Sequence, residues 1–382
     1  MIILIFSKKE FENRYERARE LMRERKIDAL LLTGEENFHY FTGGAGMSVY
    51  RSFSRPHVAI VPLDGEPMAV ASELFSPILR EADAVRDLRT FSSVHGIPEE
   101  ILVTAIREAN LSYNRIGAEF GLEQRLGMPY SDFNDLVEAL PGVEFVDASD
   151  IIWRLRMVKS EEEVALMRKA CMITGRARQK TFDEIEVGMT ERDIARIFGK
   201  NMLHEGADRV SFVHVSTKQP PNPTYLHFER KIEAGDTIYL DGGAYCWTYT
   251  CDFPRLATVG RASSKQKKIH RILTEVNRRM ADALRPGLKC SELYRMAVKT
   301  FKEIRGIGEI PLKAGRMGHG QGMMLTEPPS ISAVDDTVIE PGFTLSTEPG
   351  FGDGLHIWED VHFVTDDGHE QLSTETEELR EI

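Results

Sequence analysis

The chain predicts an α/β N-terminal domain over residues 1–150 and an α+β C-terminal domain over residues 151–382. Three observations carry this reading. Its 382 residues suit two domains, or three, at about 150 residues each. Short apolar runs alternate with helical periodicity up to about residue 150. Beyond it, long helical stretches come first, and short strands with Gly and Pro turns fill the last third.

Met1 to Phe6 is apolar but too short for a signal core, and reads as a first strand or a packed terminus. From Lys9 to Arg25, Phe11, Tyr15, Ala18, Leu21 and Met22 recur at spacings of three and four, which predicts a helix. Ala29–Leu32 reads as a buried strand before the turn Thr33-Gly34. Further strands are expected at Val58–Pro62, Met68–Ala71, Arg115–Ala118 and Val143–Val146. Helices are expected at Pro98–Ala109, with Pro98 at the first helical position, and at Tyr130–Ala139. This alternation predicts a parallel or mixed sheet.

In the second domain, Asp150 to Gly175 reads as mostly helix. Ser160 and Glu163 have the spacing of a capping box, and Gly175 is a point where the helix breaks or ends. Another helix is expected from Thr190, with Glu191 and Asp193 suited to its positive end. Strands follow at Ser211–Val215, Thr237–Asp241 and Tyr249–Thr258, then helices at Ser264–Arg285 and Ser291–Lys302. No fixed-period repeat or low-complexity linker stands out.

A net charge of −12 argues against a general nucleic-acid binder, which needs clustered Lys and Arg. No run reaches the roughly 18 apolar residues of a membrane span. Cys171, Cys246, Cys251 and Cys290 form no C-x-x-C pair and no disulfide framework, so reduced thiols in the cytoplasm are expected. Cys246 and Cys251 read as small packing residues.

The chemistry concentrates in three segments. Asp241 and Asp252 are 11 residues apart. In a hairpin with an even-length loop, opposed residues differ by an odd number. Directly opposed side chains then share a face, with Cβ atoms about 4.5–5.5 Å apart. Two carboxylates that close require a shared proton or a cation. Solvated loop aspartates are the competing reading, weakened by Tyr239, Leu240 and Phe253 alongside. His319 lies between Gly318 and Gly320; a packed or capping histidine is its alternative. Glu348 ends an apolar strand, and Glu359 follows Ile357 and Trp358; a Glu in such surroundings is usually paired. Together these residues make a mixed N/O donor set, suited to Mn, Co, Zn or Fe rather than to a thiolate site. Two ions about 3.5–4 Å apart can share carboxylates and activate one water. Tyr245, Trp247 and Tyr249 read as core packing or as a pocket lining.

The order Asp, Asp, His, Glu, Glu resembles the pita-bread metallohydrolases, which include prolidase, aminopeptidase P, methionine aminopeptidase and creatinase. The 11-residue Asp–Asp and 29-residue His319–Glu348 separations are similar to those of the prolidase and aminopeptidase P branch. Leu155–Ser160 and Met167–Ala170 resemble the entry into that family's catalytic domain, and Asn37–Gly43 the start of its N-terminal domain.

The resemblance implies a creatinase/prolidase-like domain at 1–150 and a pita-bread catalytic domain at 151–382. It implies two divalent metal ions (Mn, Co, Zn or Fe), a metal-bridged water as nucleophile and a small peptide or amide substrate, nearest to Xaa-Pro dipeptides. Asp241 would chelate one metal through both oxygens. Asp252 and Glu359 would bridge, and His319 and Glu348 would complete the second metal. Glu348 would also relay the proton from the attacking water to the leaving amine. A homodimer is implied too. In such dimers the N-terminal domain reaches the partner's site, so Arg51 or Arg55 would clamp a substrate carboxylate; a solvated surface arginine or an intradomain salt bridge is the alternative.

The chain departs from the peptidase pattern where relatives carry substrate-facing histidines. Thr326 stands seven residues after His319, and Thr224 aligns with a second such position, with His227 or His214 as replacements if the loop has shifted. A Thr hydroxyl donates a hydrogen bond but carries no charge, so it stabilises transition-state charge less. Glu348 and Glu359 are closer in sequence than in those prolidases, and His356 stands near where they often have an Arg. These departures keep open a creatinase- or ectoine-hydrolase-type C–N hydrolase, or a metal-dependent lyase of a small zwitterion. A non-catalytic binding module is the third reading.

Overall fold

The alternation read from the first 150 residues closes into one mixed sheet. The computed structural model describes residues 5–44, 56–93, 95–217, 229–304, 315–373, 375 and 377–382. Two compact units emerge, Met1–Arg156 and Met157–Ile382. The 150/151 boundary expected from sequence falls inside the last helix of the first unit.

The first unit runs α1 (Lys8–Arg25), β1 (Ala29–Leu32), α2 (Glu35–Thr42), β2 (Val58–Pro62), β3 (Met68–Ser72), α3 (Ser76–Ala82) and β4 (Asp87–Phe91). It continues with α4 (Glu99–Glu108), β5 (Arg115–Ala118), α5 (Tyr130–Ala139), β6 (Glu144–Asp147) and α6 (Ser149–Met157). The sheet order is β4-β3-β2-β1-β5-β6. The β1–β2 and β2–β3 pairs are antiparallel and the other three parallel. Ala29, Leu31, Ile60, Val70 and Ile116 pack against Leu102, Ile106, Phe133 and Leu136 of α4 and α5. Edge strand β4 escaped the sequence reading because it is half-exposed and mixes charged with apolar residues. Pro98 caps α4 rather than opening it. The segment Asn37–Gly43 lies on α2 and its cap. Buried Glu119 fastens the turn before it, accepting from the Thr33 and Gly34 amides, the Thr33 hydroxyl and Asn37 Nδ2. Arg51 and Arg55 lie outside the described residues.

The second unit opens with α7 (Glu161–Glu184) and α8 (Glu191–His204). α7 starts at the expected capping box of Ser160 with Glu163, and α8 starts at Thr190 as expected, where the structure adds a second box, Thr190 with Asp193. Gly175 neither breaks nor ends α7. A Cβ there would press on the Glu375 side chain, so the glycine permits close approach instead. Strands β7 (Arg209–Ser216), β8 (Thr237–Cys246), β9 (Tyr249–Thr250) and β10 (Arg255–Thr258) precede α9 (Ser264–Ala283) and α10 (Cys290–Glu303). The expected strand Tyr249–Thr258 is thus interrupted between β9 and β10. Then come β11 (Arg316–Gly320), β12 (Glu327–Ser332), β13 (Thr344–Thr347), β14 (Asp360–Val364), β15 (His369–Gln371) and β16 (Arg380–Glu381).

Two sheets form, β16-β10-β8-β7 with β9 joined to β8, and β12-β11-β13-β14-β15. Helices α9 and α10 cover both with one core. Leu273, Val276, Met280, Leu293 and Phe301 meet Tyr239 and Leu256 of one sheet, and Met317, Ile331 and Leu345 of the other. That shared core fixes one sheet against the other within this unit. Among the described residues, no helix is long and apolar enough to cross a membrane.

Candidate metal centre

Asp241 lies within β8, and Asp252 follows β9 in the interrupted stretch. The two-residue loop Trp247-Thr248 pairs Tyr245 with Thr250, and the same register pairs Leu240 with Arg255. That register sets Asp252 level with Gly243, not with Asp241. The aspartates are therefore diagonal neighbours on one face, which corrects the directly opposed pair expected from sequence. The Asp241 charge is among those that act on Asp252.

His319 sits near the end of β11, beside Asp252 and Glu359. Its Nε2 is 3.7 Å from Asp252 Oδ2 and 3.7 Å from Glu359 Oε1. All three ligand atoms lie within 4.8 Å of one another. Two ligands on one ion, with bonds of about 2.1 Å, stand up to ~4.2 Å apart, so this spacing suits a shared cation. The ring is oriented from behind: Nδ1 is 2.9 Å from the Gly320 carbonyl, the partner that leaves Nε2 as a lone-pair donor. Gly318, at φ +143, is required, because a Cβ there would collide with the Ser346 carbonyl of β13.

Glu348 and Glu359 flank a tight hairpin. The register from Thr344↔Phe363 to Thr347↔Asp360 continues through Gly350↔Ile357. Glu348 therefore faces Glu359 directly across it, on the same face. This explains their 11-residue separation. Beneath them lies a buried polar network. Asp360 accepts from Arg255 Nη2 at 2.6 Å, Ser373 Oγ at 2.7 Å, Asn277 Nδ2 at 2.6 Å and Trp358 Nε1 at 2.9 Å. Arg255 also donates to the Glu359 carbonyl at 2.7 Å, tying the network to that glutamate's backbone.

Sequence reasoning missed two positioning groups. Gln321 accepts from the Asp252 amide at 3.1 Å and donates to the Asp252 carbonyl at 2.9 Å and to Glu359 Oε1 at 3.2 Å. An amide side chain held between Gly320 and Gly322, two residues after the histidine, was the available signal. Tyr239 counted only as an apolar flank, yet its hydroxyl donates to Asp241 Oδ2 at 2.9 Å. That bond engages one of the two oxygens assigned to chelation and leaves Oδ1 as the uncommitted one. Phe in place of Tyr239 is expected to weaken metal binding roughly 10- to 100-fold, the usual range for partners behind a ligand. Calorimetric titration with Mn2+ checks this, and an unchanged affinity would refute it.

The electrostatics call for positive charge. Burial pushes the Asp241 carboxyl up to about 6, and Glu348 adds to this, while the Tyr239 bond and the Arg178 charge oppose it. Burial, then the charges of Glu359, Asp241 and Glu348, push Asp252 well above the carboxylate range. Asp241 Oδ1 and Asp252 Oδ1 are buried and meet no donor among the described residues. Buried acceptors in this state take up either a proton or a cation. The donor set of four carboxylates and one imidazole fits divalent metal ions.

The remaining candidates separate. His214 of β7 is directly opposite Asp241 on β8, with its ring centroid 5.4 Å from that of Tyr239. It therefore shares the Asp241 face. His356 Nδ1 is 2.7 Å from Asp353 Oδ2 near the hairpin tip. Strand alternation sets it with Trp358 and Asp360, on the face opposite Glu359. Thr326 accepts from Arg316 Nη2 at 3.2 Å. Thr224 and His227 lie outside the described residues. Tyr249 is buried and donates to Glu163, whereas Tyr245 is stacked under Arg209 and Trp247 forms the loop. Cys246 and Cys251 are buried free thiols.

Comparison with known proteins agrees with this geometry. The creatinase/prolidase N-terminal domain pattern matches residues 14–158, and that of metallopeptidase family M24 matches residues 165–366. An Xaa-Pro dipeptidase of Pyrococcus horikoshii is 27% identical over 94% of this chain and 96% of its own length. A probable dipeptidase PepE of Mycobacterium tuberculosis is 30% identical over 90% of this chain and 88% of its own. The solved structure of an Xaa-Pro dipeptidase from Bacillus anthracis superposes with a TM-score of 0.84 at 25% identity, covering 97% of this chain and 100% of that one. The chain belongs to metallopeptidase family M24, with a creatinase/prolidase-type domain ahead of its pita-bread catalytic domain.

Proposed function

We propose that this protein is a metal-dependent dipeptidase acting on Xaa-Pro or closely related small peptides. The observation that carries the reading is the buried cluster of Asp252, His319 and Glu359, with the charges of Asp241 and Glu348 bearing on it. The family and the relatives named Xaa-Pro dipeptidase support it. In this reading the five residues would hold two divalent cations. When bound, such ions lower the pKa of a water and polarise the scissile carbonyl.

The protein supplies the rest. Tyr239 holds Asp241, Gln321 holds Asp252 and Glu359, and the Gly320 carbonyl sets the His319 tautomer. The Glu348 carboxylate takes the proton of the attacking water and passes it to the leaving nitrogen. In this reading His214, opposite Asp241 on the neighbouring strand, contacts substrate. Thr326 supplies a neutral hydroxyl. The same reading takes the protein as a homodimer in the cytoplasm, working with Mn, Co, Zn or Fe. The cysteine usage supports the compartment.

Thr326, bonded to Arg316, favours a second reading: hydrolysis of a C–N bond in a small zwitterion other than a dipeptide. One experiment separates the two. Purified protein is loaded with Mn2+ or Co2+, its metal content is measured, and Xaa-Pro dipeptides, creatine and ectoine are screened. The dipeptidase reading expects close to two ions per chain and turnover of Xaa-Pro substrates. No retained metal would refute both readings. Turnover confined to creatine or ectoine would establish the second. Thr326→His should raise Xaa-Pro cleavage if the missing imidazole limits it.

A further inference from the structure

Strand β11 carries a bulge that re-aims one side chain. Arg316 pairs with Ser332 and His319 pairs with Ser330, so three steps on β11 match two on β12. Ser330 and Ser332 are two apart and face the same side. Their partners must face that side too. Arg316 and His319, three residues apart, therefore share a face that regular alternation would deny them. His319 uses that face to meet Asp252 and Glu359. The Arg316 side chain is thereby directed to the metal-centre side of the sheet, where Nη2 donates to Thr326 Oγ1 at 3.2 Å.

The chemistry of this arginine differs from that of other arginines in the same unit. Arg178 pairs with Glu375, Arg255 with Asp360, Arg230 with Asp236 and Arg168 with Glu370. Arg316 is half-buried and has no carboxylate partner among the described residues. The single bond to Thr326 orients the planar group and leaves most of its five donors uncommitted. A fixed guanidinium fork is suited to a carboxylate, which it binds through two parallel hydrogen bonds. The cation is also placed to attract an anionic substrate to a centre whose own ligands are mostly acidic.

We infer that Arg316, oriented by Thr326, is a specificity residue that binds a carboxylate of the substrate. This rests on the reading of the centre as a hydrolase of small peptides. The carboxylate is either the C-terminus of a dipeptide or an acidic side chain at its first residue.

The test uses full-length, metal-loaded protein with four compounds: Ala-Pro, Ala-Pro amide, Glu-Pro and Gln-Pro. Wild type is expected to prefer Ala-Pro to its amide if the C-terminus is bound, or Glu-Pro to Gln-Pro if the side chain is. Arg316→Met should erase that preference, lowering kcat/KM for the favoured compound at least tenfold, with metal content unchanged. Arg316→Lys, which keeps the charge but not the fork, should fall between. Thr326→Val should weaken the same preference. If wild type turns over none of the four, the dipeptidase reading fails on its own, and calorimetric binding of the same compounds still reads the preference. A wild type with no carboxylate preference in turnover or binding overturns the inference. So does an Arg316→Met variant that keeps the preference or loses all four compounds equally.

Discussion

Metal-free Asp252→Ala protein is expected to melt no lower than metal-free wild type, yet to gain nothing from added Mn2+. Three carboxylates crowd Asp252, and burial already disfavours its charge. Removing it relieves that repulsion and deletes a donor facing His319. Wild type, at a metal concentration of 100 times Kd, should gain about 2.7 kcal/mol from binding. The variant should lose that shift, and activity should fall by ~10²-fold or more, beyond the range for partners behind a ligand. Paired thermal melts with and without Mn2+ measure this. A metal-induced shift equal to wild type would remove Asp252 from the site.

The second large effect is on folding. Asp360→Ala leaves the Arg255 guanidinium buried without its closest carboxylate, and strands Asn277, Trp358 and Ser373. The Arg255–Asp360 side chains are only 4% and 2% exposed, so water cannot replace the lost partner. Breaking one side of such a pair costs about 3–5 kcal/mol. Denaturant unfolding of metal-free protein reads this apart from ligand binding. A loss below about 1 kcal/mol would mean that the Arg255 pair with Glu375 suffices. Because Arg255 also holds the Glu359 carbonyl, metal affinity should drop in the same variant.

Much of this was legible from local rules. The strands β1, β2 and β5 and the helix α5 follow from apolar runs bounded by turns, α7 from its capping box, and α8 from the acidic residues after Thr190. These are short-range signals. The parity of the Asp241–Asp252 spacing correctly gave a shared face. It could not give the register, because parity does not say where the turn is centred. The opposition of Glu348 to Glu359 was hidden for the same reason. Gln321, Asp360 and Arg255 were not legible as partners. The bonds of Asp360 to Arg255 and Asn277, and of Gln321 to Glu359, join segments 38 to 105 residues apart, and no periodicity encodes such contacts. The face shared by Arg316 and His319 was the least legible, since a bulge is invisible until the partner strand is known.

The hairpin between the two glutamates has a consequence for which residues at its tip can be exchanged. Glu348 and Glu359 form one rung of a ladder whose last bonded pair is Phe351 with His356. Beyond that pair, Leu355 is buried in the core shared with α9 and α10, and Asp353 accepts from the Leu355 and His356 amides. The tip is therefore a plug, seated in the core rather than hanging in solvent. Tolerance to substitution is confined to positions such as exposed Gly352, and an insertion there would have to leave Leu355 in its seat. The compact 11-residue interval is held by packing at the tip as well as by register below it.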